Sequence, residues 1–491
     1  MTQTYEQINP THITIGDNVR LDPRLDTDFV ASIRERGVLE PVLLYRDGDG
    51  TLTVLVGQRR TLAARAAGRD TIPALVSDTP PADTDRLVDQ YVENEHRAPL
   101  TNSERITAIE QMALAGLSDH QIAKRTATPK ATVQAAKAAA QAPALREYAD
   151  QLTLDQAAAL TEFDDDPDAV EALLAAAATG RFDHLAQRLR DDRAESAHRA
   201  EFAAVLTDQS LTVIDDPGYG DTTPIRRLSR LTDDDGTDLT PDTHAQCPGH
   251  AAYITTAWRT PTTDDQEPAD DVDDQDDNQD GDEDESWPQQ VQVLVAGYVC
   301  TDFAAHGHHD RYASTNASPS GTKRVADMTD TEREAATAAR RNVIESNKAW
   351  KAATQVRRTW ITTFAQRKTA PTGAEAYLAR VLIGGHGHET ASHEALTLAG
   401  FPGRDDTTSW TAASEQRAAA ADATGTASPK RALQIGLAVA VAMWEERTHP
   451  NTWRNPSSHD LDTLARLKDW GYPTSDLEDR MLTSPDEDPT D

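Results

Sequence analysis

The chemistry-bearing residues come in three groups. Gly57-Gln58-Arg59-Arg60 follows the apolar run Thr51 to Val56 and precedes the helical stretch Thr61 to Ala67. The glycine lets backbone approach a ligand closely. A helix starting near Gln58 offers unpaired N–H groups and a positive dipole end. Two adjacent guanidiniums add forked donors that match an oxyanion. Together these suit a phosphate; a solvated arginine pair on a surface helix is the plainer alternative. Further along stands Glu93-Asn94-Glu95-His96-Arg97. An acid and an amide beside an arginine are what a metal-bridged phosphate needs, and a helix-end cluster without ligand is its alternative.

Cysteine and histidine make the second group. The only two cysteines are Cys247, in Cys247-Pro248-Gly249-His250, and Cys300, followed by His306, His308 and His309. Thiolate and imidazole in equal number match a closed tetrahedral Zn²⁺ site of structural type. The expected ligands are Cys247, His250, Cys300 and either His306 or His308. Two unrelated cysteines beside a His-rich loop would give the same letters. A disulfide framework is not expected from two cysteines. His386, His388 and His393 read as a polar loop rather than a second metal site.

The third group is Ser118 to Ala140, SDHQIAKRTATPKATVQAAKAAA. Ser118 caps one helix, with Ile122 and Ala123 turned inward. Thr128 caps a second, with Pro129 at its first position and Val133 packed on the first helix. This is the apolar spacing of a helix-turn-helix, and equally of a plain two-helix corner. The second helix would expose Lys130, Thr132, Gln134 and Lys137, donors suited to phosphates and base edges in a major groove. Lys124 and Arg125 are placed to touch the backbone, and Thr128 is counted with the DNA-binding residues.

The elements that must position these groups are short in the N-terminal part. Ile13 to Val19 reads as a strand and Asp26 to Arg36 as a helix stopped by Gly37. Pro41 to Tyr45 and Thr51 to Val56 form a hairpin around Asp47-Gly48-Asp49-Gly50, and Thr71 to Val76 is a further strand. Residues 83–209 read as helix, with Ser103 to Ala115 ending at Gly116. β character returns over 210–326, where Ala251 to Trp258 and Val291 to Val299 pair. The segment 327–491 is helical again, and Ala432 to Trp444 reads as a buried helix. Trp350 and Trp360 are expected to pack, and Arg340, Arg341, Arg357 and Arg358 to form a solvated face.

The 491 residues carry a net charge of −34, with aromatics at only 5%. Such a balance argues against non-specific nucleic-acid binding by the whole chain. Much of the excess is in Thr263 to Ser286, a like-charge run expected to form a disordered loop. Without it, the segment Arg86 to Ala140 is near neutral and leaves room for a local basic face. The opening residues lack a basic-then-apolar signal pattern, and the longest apolar run is too short to span a bilayer. The expected setting is therefore cytoplasmic, with no membrane partner.

Three blocks together carry a resemblance. Gly37-Val38-Leu39-Glu40-Pro41-Val42, then Gly57-Gln58-Arg59-Arg60, then Glu93-Asn94-Glu95-His96-Arg97-Ala98-Pro99-Leu100 with Glu104 occur in this order. As a set they resemble the N-terminal domain of ParB-type partition proteins, over about residues 8–150. Gln58 stands where the family has glutamate, and Glu40 where it has glutamine. The resemblance implies a CTP- and Mg²⁺-binding clamp. Gly57, Gln58, Arg59 and Arg60 would hold the triphosphate, Asn94 would help coordinate Mg²⁺, Glu93 would support hydrolysis, and Arg97 would contact phosphate. It also places a helix-turn-helix directly after the third block.

The expected architecture is α+β. It comprises a ParB-like α+β clamp domain (1–82) and an all-helical domain (83–209) holding the helix-turn-helix (118–140). A small β-hairpin zinc-like module (210–326) and a helical C-terminal region (327–491) follow. The expected function is sequence-specific binding of double-stranded DNA by a homodimer. Its role would be plasmid or chromosome partition, with a ParA-type ATPase as partner, or transcriptional regulation. A ParB-fold nuclease, or a DNA-binding scaffold with a degenerate nucleotide site, are the alternatives.

Overall fold

The computed structural model describes residues 3–15, 25–47, 49–78, 83–97, 99–217, 224–259, 291–312, 329–384, 390–403 and 409–483. The acidic run Thr263 to Ser286, His386 and His388 lie outside them. Contacts gather the chain into two compact units, Met1–Gln187 with Ala352–Asp491, and Arg188–Lys351.

The first unit opens with five strands. They are β1 (Gln3–Ile8), β2 (Ile13–Thr14), β3 (Val42–Arg46), β4 (Leu52–Val56) and β5 (Ile72–Ser77), in the order β1-β5-β3-β4-β2. β3 and β4 form the antiparallel hairpin, and β3 runs parallel to β5. At the hairpin turn Gly50 takes the left-handed φ of +87°, and the Asp49 carboxylate accepts the Thr51 N–H at 2.9 Å. β1 was not evident from the sequence. Its polar residues pair antiparallel along β5, whose Ile72, Ala74 and Val76 supply the buried side. Of the strand expected from Ile13, the described part is Ile13–Thr14, beside β4.

Helices α1 (Thr27–Arg36) and α2 (Gln58–Ala66) pack on this sheet. Asp26 caps α1 by accepting the Phe29 N–H, and Gly37 ends it at φ +75°. Ile33, Val42, Leu44, Val54, Ala63, Ala64, Ile72 and Val76 make the buried core. The alanines of α2 let the helix approach the strands closely.

A run of helices follows: α3 (Asp83–Arg97), α4 (Asn102–Leu114), α5 (Asp119–Thr126), α6 (Lys130–Ala139), α7 (Leu154–Leu160), α8 (Pro167–Ala178) and α9 (Phe182–Asp208). Capping boxes start three of them: Thr101 with Glu104, Ser118 with Gln121, and Thr153 with Gln156. Each satisfies backbone donors that the first helical turn leaves unpaired. Ile106, Ile109, Met112, Ile122, Val133 and Ala136 are fully buried between α4, α5 and α6.

One expectation fails at the second of these joints. Pro129, not Thr128, occupies the cap of α6, and no side chain caps it. The Thr128 hydroxyl instead faces the Tyr91 hydroxyl of α3 at 3.5 Å. The turn needs a left-handed residue at the end of α5, and Ala127 supplies it at φ +55°. For an L-residue that conformation costs about 1–2 kcal/mol, and glycine's extra chain entropy returns about 0.5–1 of it. Ala127→Gly is therefore expected to stabilise the α5–α6 joint by about 0.5–1 kcal/mol. Slower hydrogen exchange of the α5 and α6 amides would register it; faster exchange would refute the left-handed turn.

The second unit contains the end of α9 and the start of α11. Between them come β6 (Thr212–Ile214), β7 (Arg226–Arg227), β8 (Leu231–Thr232), α10 (Pro241–His244), β9 (His250–Arg259), β10 (Val291–Cys300) and β11 (His309–Asp310). The sheet order is β6-β9-β10-β7, and β8 pairs with β11. The β9–β10 ribbon has the pairing expected from its alternation, with Cys300 opposite His250 and Val299 opposite Ala251. Its apolar support is thin: Leu228, Leu231 and Cys300 on one side, Ala251, Tyr253 and Val299 on the other. Asp310, almost wholly buried, joins Arg226 at 3.0 Å and Arg230 at 2.8 Å.

Helix α11 (Asp330–Ala365) leads back into the first unit. There α12 (Ala374–Ile383), α13 (His393–Leu398), α14 (Ser409–Thr426), α15 (Pro429–Arg447), α16 (Ser458–Asp469) and α17 (Asp476–Thr483) follow. α15 is the buried helix expected, with Leu437, Ala438, Val441 and Trp444 inside. Trp360 stacks on Phe364 with ring centres 4.7 Å apart, a packing role as expected. Arg340 and Arg341 are exposed. Arg357, expected on the same solvated face, is fully buried. It donates from Nε to Glu445 at 2.5 Å and from Nη1 to Glu478 at 2.6 Å. Two carboxylates brought in by α15 and α17 make burial of this cation possible. Among the described residues, no helix is long and apolar enough to cross a membrane.

Candidate nucleotide and nucleic-acid interface

Gly57 is the hinge of the first group. It caps α2 with φ +102°, and a Cβ there would lie 2.7 Å from Cγ1 of Val42. Only glycine meets both demands, so β4 turns into α2 tightly against β3. Arg59 pairs with Asp26 at 2.6 Å, and its guanidinium lies 4.2 Å above the Phe29 ring. Its Nε is buried without a hydrogen-bond partner. Arg60 donates from Nη1 to the carbonyls of Glu40 at 2.8 Å and Pro41 at 3.1 Å, and lies 3.5 Å from the Glu40 carboxylate. The arginines thus link the helix start to the 26–29 and 40–41 segments. Asp26 and Phe29 were not singled out in the sequence; spacing gave no sign of a partner 33 positions upstream.

The second block lies on the last turns of α3. Glu93 and Arg97 are exposed, and Asn94 is half-buried. The Asn94 amide donates back to the Gln90 carbonyl at 2.7 Å. Glu95, unassigned in the sequence reading, accepts two bonds from Arg105 of α4, at 2.6 and 3.2 Å. That pair holds the Arg105 guanidinium more strongly protonated than usual. Tyr91, one turn earlier, is buried, and desolvation raises its hydroxyl pKa. Through Tyr91 and Glu95, α3 touches both the α5–α6 turn and α4.

On α5 and α6 the expected polar face is present. Lys124, Lys130 and Gln134 are exposed, while Thr132 is half-buried. Two of the predicted cations are engaged within the protein: Lys137 with Asp119 at 2.5 Å, and Arg125 with Asp85. Both pairs are partly exposed, where an ion pair contributes about 0–1 kcal/mol and is readily exchanged for another anion.

The family model of the ParB N-terminal domain matches residues 6–94. This segment is a ParB N-terminal domain. The probable chromosome-partitioning protein ParB of Treponema pallidum is 35% identical over 107 residues, 22% of this chain and 32% of that protein. The chromosome-partitioning protein Spo0J of Thermus thermophilus is 34% identical over 106 residues, 22% of this chain and 38% of that protein. The chain thus spans about a third of the length of these relatives. A C-terminally truncated ParB from Caulobacter crescentus, complexed to the centromeric parS site, is 20% identical. Its TM-score is 0.26, over 34% of this chain and 91% of that one. The ParB domain comprises the five-stranded sheet with α1 and α2, and its matched residues end within α3 at Asn94.

Beyond the ParB domain, the second unit assembles a His/Cys cluster. His244, Cys247, Cys300 and His308 bring one ligand atom each to within 4.8 Å of one another. Of the expected ligands, Cys247 and Cys300 meet, and His308 rather than His306 completes them. His250 does not belong to the group. Its ring stacks on Tyr298, with centres 5.6 Å apart, and its Nδ1 faces Nδ1 of His244 at 2.8 Å. His244, missed in the sequence reading, takes the place expected for His250. The letters could not choose between them, because His244 and His250 stand three positions to either side of Cys247. Burial lowers the His244 imidazole to about 4, helped by His250, His308 and His306. It raises the Cys300 thiol to about 11, despite the Asp302 backbone N–H. His393 bonds to Gln416 at 2.9 Å.

Proposed function

We propose that this chain is a ParB-type, sequence-specific DNA-binding protein. In this reading α5 and α6 are a helix-turn-helix, with α6 entering the major groove as the reader. Lys130, Thr132 and Gln134 would face base edges, while Lys124, Arg125, Thr128 and Lys137 would face the phosphates. Palindromic half-sites call for a homodimer. The observation that carries the reading is the placement of the α5–α6 pair directly behind the ParB domain, with Lys124, Lys130 and Gln134 turned to solvent and Ile122 and Val133 locked beneath.

The ParB domain would bind CTP with Mg²⁺. Gly57 and the N–H groups of α2 would receive the phosphates, and Arg59 and Arg60 would turn from their present partners to oxygens of the nucleotide. Asn94 would assist the metal, Arg97 would contact phosphate, and Glu93 would support slow hydrolysis. Bound nucleotide would close two protomers as a clamp on DNA. The cellular role would be partition of a plasmid or chromosome with a ParA-type ATPase, in the cytoplasm, or transcriptional regulation. A second reading has a specific observation behind it. Arg59 and Arg60 already bind Asp26 and the 40–41 carbonyls, as they would in a DNA-binding scaffold with no nucleotide.

Selection of duplexes from a randomised pool tests the DNA assignment. One dyad-symmetric sequence should be enriched. The Lys124→Ala/Lys130→Ala variant should then bind it more weakly, its log–log salt slope shallower by about 1 through loss of the phosphate-facing Lys124. No enriched sequence, or an unchanged slope, would remove α5–α6 from the interface.

A further inference from the structure

We infer that His244, Cys247, Cys300 and His308 are the four protein ligands of a structural tetrahedral Zn²⁺ site, and that His250 orients a ligand without being one. Backbone geometry brings the four together from two turns. Thr240 caps the short helix that ends at His244, and the Cys247 N–H bonds to the His244 carbonyl at 3.0 Å. The His250 N–H then bonds to the Cys247 carbonyl at 2.9 Å, which closes a knuckle at the start of β9. Cys300 arrives at the end of β10. Gly307, at φ +74°, reverses the chain so that His308 returns, its N–H bonded to the Phe303 carbonyl at 2.9 Å.

The donor atoms point the right way. His244 is 1% exposed, and its Nε2 is buried with no hydrogen-bond partner. Such an atom is costly unless something binds it. Its Nδ1 is occupied by His250, which fixes the ring and leaves Nε2 for a metal, the usual outer-shell arrangement of a ligating histidine. Cys247 Sγ lies 3.5 Å from His308 Nε2. Ligand atoms around tetrahedral zinc stand about 3.3–3.8 Å apart, so this pair already has the spacing, and the others, all within 4.8 Å, need to close by about 1.5 Å at most. Two thiolates and two neutral imidazoles would balance the charge of Zn²⁺.

The site also explains how a small module holds together. Among the described residues, the ribbon β9–β10, the β8–β11 pair and the 240–250 turn share the small Leu228, Leu231 and Cys300 cluster, with Leu239, Cys247, Tyr298 and Phe303 at its edge. Modules with so little apolar burial commonly depend on a metal for folding. Gly249 belongs to the same design. A Cβ there would lie 2.8 Å from Cys300 Sγ and 2.6 Å from Cδ2 of His306.

Metal analysis of the full chain, purified without chelators, is the test. About one zinc per chain is expected. Adding a strong chelator to this wild-type protein should expose both thiols to alkylation. Cobalt exchanged into the site should give the visible bands of tetrahedral coordination with thiolate charge transfer. His244→Ala and His308→Ala should lose the metal, His306→Ala should keep it, and His250→Ala should keep it with affinity lowered about 10–100-fold. Wild-type protein without metal, or thiols released by a reductant but not by a chelator, would overturn the site. Loss of zinc in His306→Ala with retention in His308→Ala, or loss in His250→Ala with retention in His244→Ala, would overturn the ligand set.

Discussion

Arg357→Met is expected to destabilise the helical C-terminal part of the first unit by about 3–5 kcal/mol. The guanidinium is wholly enclosed, with Glu445 on one side and Glu478 on the other. Glu478 has other donors: the Ser475 N–H at 2.7 Å, the Ser475 hydroxyl at 2.8 Å and the Tyr472 hydroxyl at 3.1 Å. Glu445 depends on Arg357, whose Nε and Nη2 both reach its carboxylate. Removing the cation leaves Glu445 buried and uncompensated, which is where the cost arises. Arg357→Met/Glu445→Gln should therefore recover a substantial part of the loss.

The pH dependence follows from the same burial. Desolvation pushes the Glu445 carboxyl upward, against the pull of Arg357. Without Arg357 the upward push of burial and Glu478 is opposed only by the weaker pull of Arg358. A carboxyl whose folded-state pKa exceeds its unfolded value favours folding when protonated, and that advantage is lost as pH rises through the folded value. The deficit of the single variant should thus be full at neutral pH and shrink toward the ordinary carboxylate range. Denaturant unfolding at several pH values measures it. A deficit that grows on acidification, or a double variant no better than the single, would count against this account of the network.

Arg60→Ala should reduce CTP affinity by about 10–100-fold, the loss of a charge-assisted hydrogen bond of about 1.5–3 kcal/mol to a phosphate. The same side chain ties α2 to the 40–41 carbonyls, so the variant also loses a partly exposed strut. That loss is about 1 kcal/mol and leaves the domain folded. Binding measured by calorimetry, beside an unfolding curve, separates the two effects. If wild type and variant bind CTP alike, Arg60 is a strut and nothing more. If wild type binds no nucleotide while still selecting a DNA sequence, the scaffold reading replaces the clamp.

Much of the chain was legible because it is decided locally. Ser118 before α5 and Gly37 after α1 act through hydrogen bonds spanning a few residues, and letters show them directly. The β3–β4 hairpin follows from its Asp-Gly turn, and the β9–β10 pairing from the alternation of Val291 to Val299. Thr128 was misplaced because cap preference cannot see Tyr91 competing for its hydroxyl from another helix.

The sequence by itself determined the ParB blocks, the β3–β4 hairpin and the β9–β10 pairing, the polar residues of α6 and the meeting of both cysteines near histidine. Only the tertiary structure decided which histidine joins them, that Arg357 is enclosed, and what Arg59 and Arg60 hold. Caps, turns and periodicity are short-range and repeat along the chain, so they can be read from neighbours. A ligand set or a buried charge depends on where distant segments arrive. Spacing named His250, but its ring stacks on Tyr298 across the ribbon, and His244, three positions to the other side of Cys247, meets the cysteines instead.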